Sequence, residues 1–216
     1  MSTILNIRGT SGSGKSTVVR QLMDHFDVES EIARPSTQRV WAYLLRNGMY
    51  VLGRYETTCG GADTVGSFGK IRTQLNILAR RGDVVVEGLL WSHVFKSSDE
   101  FARSTPHHVI FALLNTPADL CVRRVLARRK TAGNKKPFNP QNTLDKHRDI
   151  VRTQERLLRA GHDARILPHE EPLQTILRWL AENKREKLVT TFDVEDASMK
   201  ELRIAKVAEP AVLEAV

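Results

Sequence analysis

The feature that most constrains this chain is a glycine-rich run close to its amino terminus. The run reads Gly9-Thr10-Ser11-Gly12-Ser13-Gly14-Lys15-Ser16-Thr17 and fits the pattern G-x-x-x-x-G-K-[ST] without a mismatch. Residues 3–8 before it are mostly apolar and partly β-branched, and residues 16–26 after it carry apolar side chains at helical spacing. A strand, a glycine loop and a helix in this order predict a phosphate-binding loop (P-loop).

The residue types of the P-loop indicate its chemistry. Glycines let successive backbone N–H groups turn inward and surround phosphate oxygens at a helix amino terminus. We expect Lys15 to reach the β- and γ-phosphates and the Ser16 hydroxyl to ligate Mg²⁺. The whole run, residues 9–17, is therefore predicted to bind a nucleoside triphosphate.

Strand and helix patterns alternate along residues 1–183, which predicts an α/β fold with a doubly wound parallel sheet and flanking helices. The three valines at 84–86 are typical of a strand buried on both faces. Further predicted strands are 28–34, 49–55, 108–114 and 164–167, and predicted helices are 37–47, 65–81, 117–130, 143–160 and 172–183. Residues 91–103 are expected to be irregular or weakly helical. Residues 184–216 lack a clear period, and we expect an accessory tail that could pair with a second copy.

Charge and cysteine content restrict the partners and the compartment. The chain has 33 Lys and Arg against 25 Asp and Glu, a net charge of +8, which suits a polyanion such as nucleic acid. The alternative is a basic surface that serves only solubility. Cys59 and Cys121 suggest no disulfide framework, and no signal peptide or membrane-spanning run is evident, so we expect a cytoplasmic protein without a membrane partner.

Two acids are candidates for the chemistry. Glu87 ends the valine strand, where it could hold Mg²⁺ through water or accept a proton from a substrate hydroxyl. A structural or capping role is the alternative for Glu87. Asp63 follows the paired glycines Gly60 and Gly61, and it could cap the following helix or act as the general base. The sequence leaves both interpretations of Asp63 open.

Basic residues cluster in the second half of the chain. Arg124 and Arg128 lie four apart on one predicted helix face, before a loop rich in Gly, Asn, Lys and Pro, and residues 123–142 are predicted to form a basic lid. Lid arginines neutralise charge on a transferred phosphoryl group, whereas the alternative is a solvated helix face. A second basic stripe, predicted to contact nucleic-acid phosphates, consists of Arg148, Arg152, Arg156 and Arg159.

The ends of two predicted strands supply candidates for binding an acceptor. Arg34, Arg54 and Tyr55 could contact acceptor phosphates and stack on a base, or they could be ordinary rim residues. The adjoining loop adds Glu56, a second candidate base, and the run Cys59-Gly60-Gly61, whose glycines favour close approach of backbone to a ligand. Cys59 is not expected to be a nucleophile, because phosphoryl transfer needs none.

Three runs of the sequence, 8–17, 52–64 and 86–90, resemble bacteriophage P-loop kinases of the thymidylate-kinase-like type. Within that type the chain is most similar to the 5-hydroxymethyluridine DNA kinases of phages that hypermodify thymine. The run Tyr55-x-x-x-Cys59-Gly60-Gly61-x-Asp63 is far more specific than the P-loop, and runs 115–117 and 136–143 also match. The resemblance covers about residues 3–180.

This resemblance implies transfer of the ATP γ-phosphate to the hydroxymethyl oxygen of a modified pyrimidine within DNA, with Mg²⁺. Two alternatives stay open, namely a kinase for a deoxynucleoside or its monophosphate, and a P-loop ATPase that is not a kinase. The lid arginines favour a kinase, and the basic surface favours DNA over a free nucleotide.

Overall fold

The computed structural model describes residues 1–34, 37–56 and 60–183. Cys59 and the predicted tail, residues 184–216, lie outside these residues, so the substrate contact of Cys59 and the pairing of the tail with a second copy stay predictions. By compactness the chain divides into two units, Met1–Leu173 and Gln174–Val216.

Within the described residues, seven strands form one sheet. The strands are β1 Thr3–Arg8, β2 Val28–Ala33, β3 Val40–Leu45, β4 Tyr50–Leu52, β5 Val84–Glu87, β6 His108–Leu114 and β7 Asp163–Leu167. The helices are α1 Lys15–Phe26, α2 Phe68–Ala79, α3 Leu89–Ser92, α4 Phe95–Ser104, α5 Ala118–Thr131 and α6 Pro140–Arg159, with a 3₁₀ turn at Ala62–Thr64. A last helix spans residues 172–183.

The strand order is β2-β3-β4-β5-β1-β6-β7. In the part of the sheet ordered β4-β5-β1-β6-β7, each strand pairs in parallel with its neighbour. The strand β3 pairs antiparallel with both β2 and β4. The predicted α/β fold with a parallel sheet is thus confirmed for five strands, and the β2-β3 edge departs from it. The strand β1 lies between β5 and β6, so the loop that follows it opens at the carboxyl edge of the parallel strands.

The predicted helix at 37–47 is wrong, because β3 occupies its centre. A run of six mostly apolar residues is too short for its period to separate helix from strand. Val40, Trp41 and Tyr43 favour a strand, since β-branched and aromatic side chains fit a pleated surface. Strands lie on both sides, so Ala42 pairs with Ile32 and with Leu52, and tertiary pairing decides the structure.

The segment expected to be irregular or weakly helical at 91–103 is helical over most of its length, because it holds the end of α3 and nearly all of the ten-residue α4. Trp91 and Phe101 are both 1 % exposed and pack edge to face with ring centroids 5.1 Å apart. Burial of these two rings anchors both helices against the apolar core. None of the helices in the described ranges is long and apolar enough to cross a membrane.

Both faces of the central sheet are covered. One apolar cluster joins Ile4, Val84 and Val86 of the sheet to side chains of α2, α4 and α6. Because successive residues of a strand point to opposite faces, Leu5 and Val85 point away from this cluster, and they are buried as well. Sandwiching the sheet in this way leaves its carboxyl edge as the place for a cleft.

The burial of α6 can be tested with two adjacent leucines. Leu157 is 0 % exposed and belongs to the apolar cluster, whereas Leu158 is 61 % exposed. We expect Leu157→Ala to lower the free energy of unfolding by about 2–5 kcal/mol, and Leu158→Ala by about 0.5 kcal/mol or less. Urea denaturation of both variants measures this difference. Equal losses would contradict the orientation of α6 described here.

Candidate active site

A cleft of about 630 Å³ opens beyond the carboxyl ends of β1 and β5. Its lining includes P-loop residues, both candidate acids and both lid arginines. The described lining residues are 11–18, Arg20, Gln21, Gly60, Asp63, Glu87, Leu89, Leu114, Arg124, Arg128, His169, Glu170 and Pro172. Residues predicted separately from sequence therefore meet at one site.

The P-loop is tightly packed against α5. Gly12 and Gly14 have φ of +81° and +101°, a conformation that favours glycine. A Cβ at Gly12 would also overlap the main-chain carbonyl of Cys121 in α5. The Ser13 N–H donates to the Thr10 carbonyl at 3.2 Å, which closes the turn. This conformation leads directly into the amino terminus of α1, where anions bind.

Lys15 is held inside the P-loop. Its side chain is almost wholly buried, and Nζ donates to the Thr10 carbonyl at 3.0 Å. Burial lowers the pKa of Lys15, and the negative charges of Glu87 and Asp63 act to raise it. The ammonium group is thus ordered before any phosphate arrives, as a preorganised electrostatic site requires.

The hydroxyl of Ser16 meets the carboxylate of Glu87. Ser16 Oγ donates to Glu87 Oε1 at 2.6 Å, and Glu87 is 2 % exposed. Burial raises the pKa of Glu87, while the charge of Lys15 and the Ser16 hydrogen bond act to lower it. Hydroxyl and carboxylate oxygens are ligands that Mg²⁺ prefers, so this pair fits the predicted metal.

The described residues contain no group of three His, Cys, Asp or Glu side chains that could hold a metal ion. Ser16 and Glu87 are the residues that would hold a magnesium ion, which would neutralise negative charge on the phosphates of a bound nucleotide. This is the usual arrangement when Mg²⁺ accompanies a nucleotide.

Asp63 lies in the 3₁₀ turn and lines the cleft with an exposed side chain. Its Oδ2 accepts the Leu89 N–H at 2.9 Å, at the start of α3. The predicted cap on the following helix is wrong, because that helix, α2, begins after Ser67. Asp63 caps a helix that is distant in sequence, and its place in the cleft keeps the general-base interpretation open.

The paired glycines bring the Asp63 loop against Glu87. A Cβ at Gly61 would lie 2.6 Å from the Glu87 main-chain oxygen and would overlap its carboxylate, and a Cβ at Gly60 would overlap the Arg54 carbonyl. The sequence predicted that these glycines let a ligand approach the backbone closely. In the structure, the group that approaches each glycine closely is another part of the chain. Gly60 also lines the cleft, so its substrate contact stays a prediction.

The two arginines predicted to belong to a lid project from α5 beside the P-loop. Arg124 Nη1 donates to the Ser13 carbonyl at 3.3 Å, and Arg128 lines the cleft one turn further along. Arg129 serves another purpose, because its guanidinium lies 5.4 Å from the Phe138 ring and donates to the Lys136 carbonyl. Arg129 therefore organises the loop between α5 and α6.

The other predicted acceptor residues do not line the cleft within the described part of the chain. Arg34 donates to the Val65 carbonyl at 3.5 Å, and Arg54 pairs with Glu56 at 3.3 Å. Tyr55 is 6 % exposed, with its ring centroid 6.2 Å from that of Tyr43, so little of its ring is available to stack on a base. Their roles in acceptor binding stay predictions.

Several lining residues were missed from the sequence. Arg20 lies one helical turn after Ser16, and this spacing along α1 could have revealed it. His169 and Glu170, paired at 3.2 Å, follow the carboxyl end of β7. Loops at the carboxyl ends of parallel strands converge, so the position of β7 in the sheet was the signal for these two.

The basic stripe on α6 is largely neutralised within its own helix. Three of its four arginines contact a carboxylate three or four residues earlier, in the pairs Arg148–Asp145, Arg152–Asp149 and Arg159–Glu155. The fourth, Arg156, lies 4.1 Å from the centroid of the Phe95 ring. Repulsion between these arginines is thus offset within the helix, and their contact with nucleic-acid phosphates stays a prediction.

Comparison with known proteins identifies the family. The chain is 37% identical over 169 residues to a 5-hmdU DNA kinase of Pseudomonas phage PaMx11, covering 73% of this chain and 86% of that protein. The chain belongs to the 5-hmdU DNA kinases. This membership confirms the family predicted from sequence and the prediction of a kinase.

Two further members of this family give matches of similar extent. The chain is 30% identical to a 5-hmdU DNA kinase of Delftia phage PhiW-14, covering 73% of this chain and 65% of that protein. It is 28% identical to one of Pseudomonas phage M6, covering 80% and 94%. No model of a known protein family matches the chain.

Solved structures of low sequence identity also match the chain. A gluconokinase from Sinorhizobium meliloti 1021 matches with a TM-score of 0.46 and 20% identity, covering 86% of this chain and 97% of that one. A shikimate kinase from Acinetobacter baumannii matches with a TM-score of 0.40 and 17% identity, covering 85% and 95%. The Pnkp1/Rnl/Hen1 RNA repair complex matches with a TM-score of 0.44 and 18% identity, covering 72% and 46%.

The contact between Gly61 and Glu87 predicts a specific effect on turnover. Gly61→Ala adds a Cβ that meets backbone as well as carboxylate, so the Asp63 loop must shift. We expect kcat to fall by about 10²-fold, since a shift of about 1 Å at a catalytic group has that effect. Steady-state kinetics measures the loss.

Gly66→Ala is the matched control for this substitution. Gly66 also has a positive φ, +116°, but its nearest neighbour would be Lys70 Cδ at 3.7 Å. Both variants carry backbone strain of about 1 kcal/mol. The overlap with Glu87 is added in Gly61→Ala alone, so thermal denaturation should show the larger loss for that variant. Equal loss of kcat in the two variants would contradict the proposed importance of the Glu87 contact.

Proposed function

We propose that this chain transfers the γ-phosphate of ATP, with Mg²⁺, to the hydroxymethyl oxygen of 5-hydroxymethyluracil in DNA. The observation that carries the proposal is the meeting of a P-loop, a buried Ser16–Glu87 pair and an exposed Asp63 carboxylate at one cleft. Family membership supports the acceptor, because the relatives are named for this substrate. A phage DNA substrate would place the reaction in the cytoplasm of the host cell.

The P-loop and the lid arginines stabilise the transferred group. The backbone N–H groups of the P-loop and Lys15 bind the phosphate oxygens, and Arg124 and Arg128 approach from α5. Negative charge spreads over the equatorial oxygens in the transition state, so these cations bind it more strongly than the ground state. Mg²⁺ at Ser16 and Glu87 would supply further charge neutralisation at the same oxygens.

Asp63 is the proposed general base. The hydroxymethyl oxygen attacks the γ-phosphorus, its proton passes to the Asp63 carboxylate, and the bond from the γ-phosphorus to the bridging oxygen breaks. ADP then leaves with that bridging oxygen. Glu87 is less suited to this role, since its carboxylate is buried and engaged by Ser16.

Basic residues beyond the cleft would hold the DNA backbone. Lys130, Lys135 and Lys136 are exposed in and beside the loop that joins α5 to α6. The arginines of α6 can contribute despite their pairing, because exposed ion pairs of this kind contribute only about 0–1 kcal/mol and a phosphate can replace the carboxylate. Binding through such contacts releases counterions and weakens as salt rises.

The test of this function is an acceptor comparison with labelled ATP. Four acceptors are offered separately, namely an oligonucleotide containing 5-hydroxymethyluracil, the same oligonucleotide with thymine, the free deoxynucleoside and its monophosphate. We expect label only in the first oligonucleotide. Lys15→Ala should lower the rate by at least about 10²-fold, because it removes a cation that binds the transferred group.

The other outcomes of the acceptor comparison are equally informative. Label only in the free deoxynucleoside or its monophosphate would replace the DNA acceptor by a small-molecule acceptor. Retained activity in a folded Lys15→Ala protein would overturn the proposed role of the P-loop lysine.

Asp63→Asn separates the base from the helix cap. Asparagine keeps a side-chain oxygen that can accept the Leu89 N–H, but it cannot take up the substrate proton. We expect kcat to fall by about 10²-fold or more while the KM for ATP is unchanged. A fully active Asp63→Asn protein would leave Asp63 as a cap and transfer the base role to Glu87 or Glu56. Asp63→Ala, compared by thermal denaturation, measures the capping contribution.

A further inference from the structure

Arg20 is a cation in the cleft that has no role in the phosphoryl transfer proposed above. The cleft lining in the described chain contains four lysine or arginine side chains, which are Lys15, Arg20, Arg124 and Arg128. The other three lie at the P-loop or on the lid helix α5. Arg20 lies on α1, one turn further from the P-loop than Ser16, and the same cleft includes the Asp63 loop.

Contacts with Tyr55 fix the position of the Arg20 guanidinium. Arg20 Nη2 donates to the Tyr55 carbonyl at 3.3 Å, and its guanidinium carbon lies 5.9 Å from the centroid of the Tyr55 ring. Tyr55 itself is buried, so it provides a rigid support. A guanidinium that is ordered beforehand loses less conformational entropy when it binds an anion.

The charge of Arg20 acts within the site. Arg20 lines the same cleft as Glu87 and Asp63. Arg20 is therefore within electrostatic reach of the carboxylate that lies beside the P-loop. A cation at this position would attract any anionic group of a ligand that enters from the Asp63 side.

We propose that Arg20 binds a phosphodiester adjoining the target nucleotide, and that it makes the site favour a polynucleotide over a free nucleoside. This inference rests on the proposed function. An acceptor in DNA differs from a free nucleoside by its flanking phosphates, and a guanidinium matches a phosphate with two parallel hydrogen bonds.

The position of Arg20 favours the acceptor over ATP as its ligand. Arg20 lies one turn of α1, about 5.4 Å, beyond Ser16, and its guanidinium is held at the Tyr55 carbonyl, at the start of the segment that leads to Asp63. The two arginines predicted from sequence for this task, Arg34 and Arg54, do not line the cleft in the described part of the chain. Among described arginines on the acceptor side, Arg20 is the one that lines the cleft.

Steady-state kinetics provides the first test. Arg20→Ala should raise the KM for the 5-hydroxymethyluracil oligonucleotide at least about tenfold. Arg20→Lys should raise this KM less, because lysine keeps the positive charge but cannot form the two parallel hydrogen bonds of a guanidinium. The KM for ATP should change less than about twofold in both variants. Arg46→Ala, which removes a 71 % exposed arginine side chain paired with Asp27 and outside the cleft lining, is the matched control for net charge.

The second test identifies the contact itself. A set of oligonucleotides carries one neutral methylphosphonate at successive positions on either side of the target base. For the wild type, one position should raise the KM about tenfold, the loss expected for one charge-assisted contact. With Arg20→Ala the same position should cause no additional loss, because the partner is already missing. A general disturbance of the site by the substitution would cancel in this comparison.

The other possible outcomes would overturn either the inference about Arg20 or the proposed function. If the methylphosphonate raises the KM equally for the wild type and Arg20→Ala at every position, or if Arg20→Ala raises the KM for ATP as much as that for DNA, the inference about Arg20 is wrong and the proposed function stands. A wild type that phosphorylates only free nucleosides or their monophosphates overturns the proposed function, and the inference falls with it.

Discussion

The carboxylate of Glu87 is the contact on which the rest of the site depends. It accepts the Ser16 hydroxyl at 2.6 Å, and the backbone of Gly61 packs directly against it. One buried side chain therefore sets the distance between the P-loop helix and the loop that carries Asp63. Burying a carboxylate is costly unless it is hydrogen-bonded and close to a cation, and here Ser16 and Lys15 meet both conditions.

The position of Asp63 depends on contacts that continue through α3 to β1. Asp63 caps the amino terminus of α3, and the buried guanidinium of Arg8 donates to the carbonyl of Ser92 at the carboxyl end of the same helix. Burial lowers the pKa of Arg8 to about 9, and the Phe111 ring lies 5.2 Å below it. A carboxylate at the amino end and a cation at the carboxyl end both suit the helix dipole. Strand β1 thus supports the P-loop and, through Arg8, the helix that Asp63 caps.

Hydrogen bonds also join the P-loop to the basic helix α6. Thr116 Oγ1 donates to the Ser13 carbonyl at 2.7 Å, and the Thr116 carbonyl lies 3.1 Å from His147 Nε2 of α6. Thr10 Oγ1 donates to the Thr143 carbonyl at 3.4 Å, in the first turns of the same helix. The nucleotide loop and the helix proposed to contact DNA are therefore connected by direct polar contacts. A rigid connection of this kind holds both ligands in a fixed relation, as transfer between them requires.

The sequence alone determined the P-loop, the strand that ends at Glu87 and the five parallel strands, because each depends on a local pattern that leaves little choice of structure. The family, too, followed from local motifs. Tertiary structure decided the strand β3, where pairing with two neighbours overrides a helical period, and the cap made by Asp63, whose partner is Leu89. Tertiary structure also decided which arginines line the cleft. Packing between distant segments places one arginine in the cleft and another beside a neighbouring carboxylate, and a local sequence pattern cannot predict that packing.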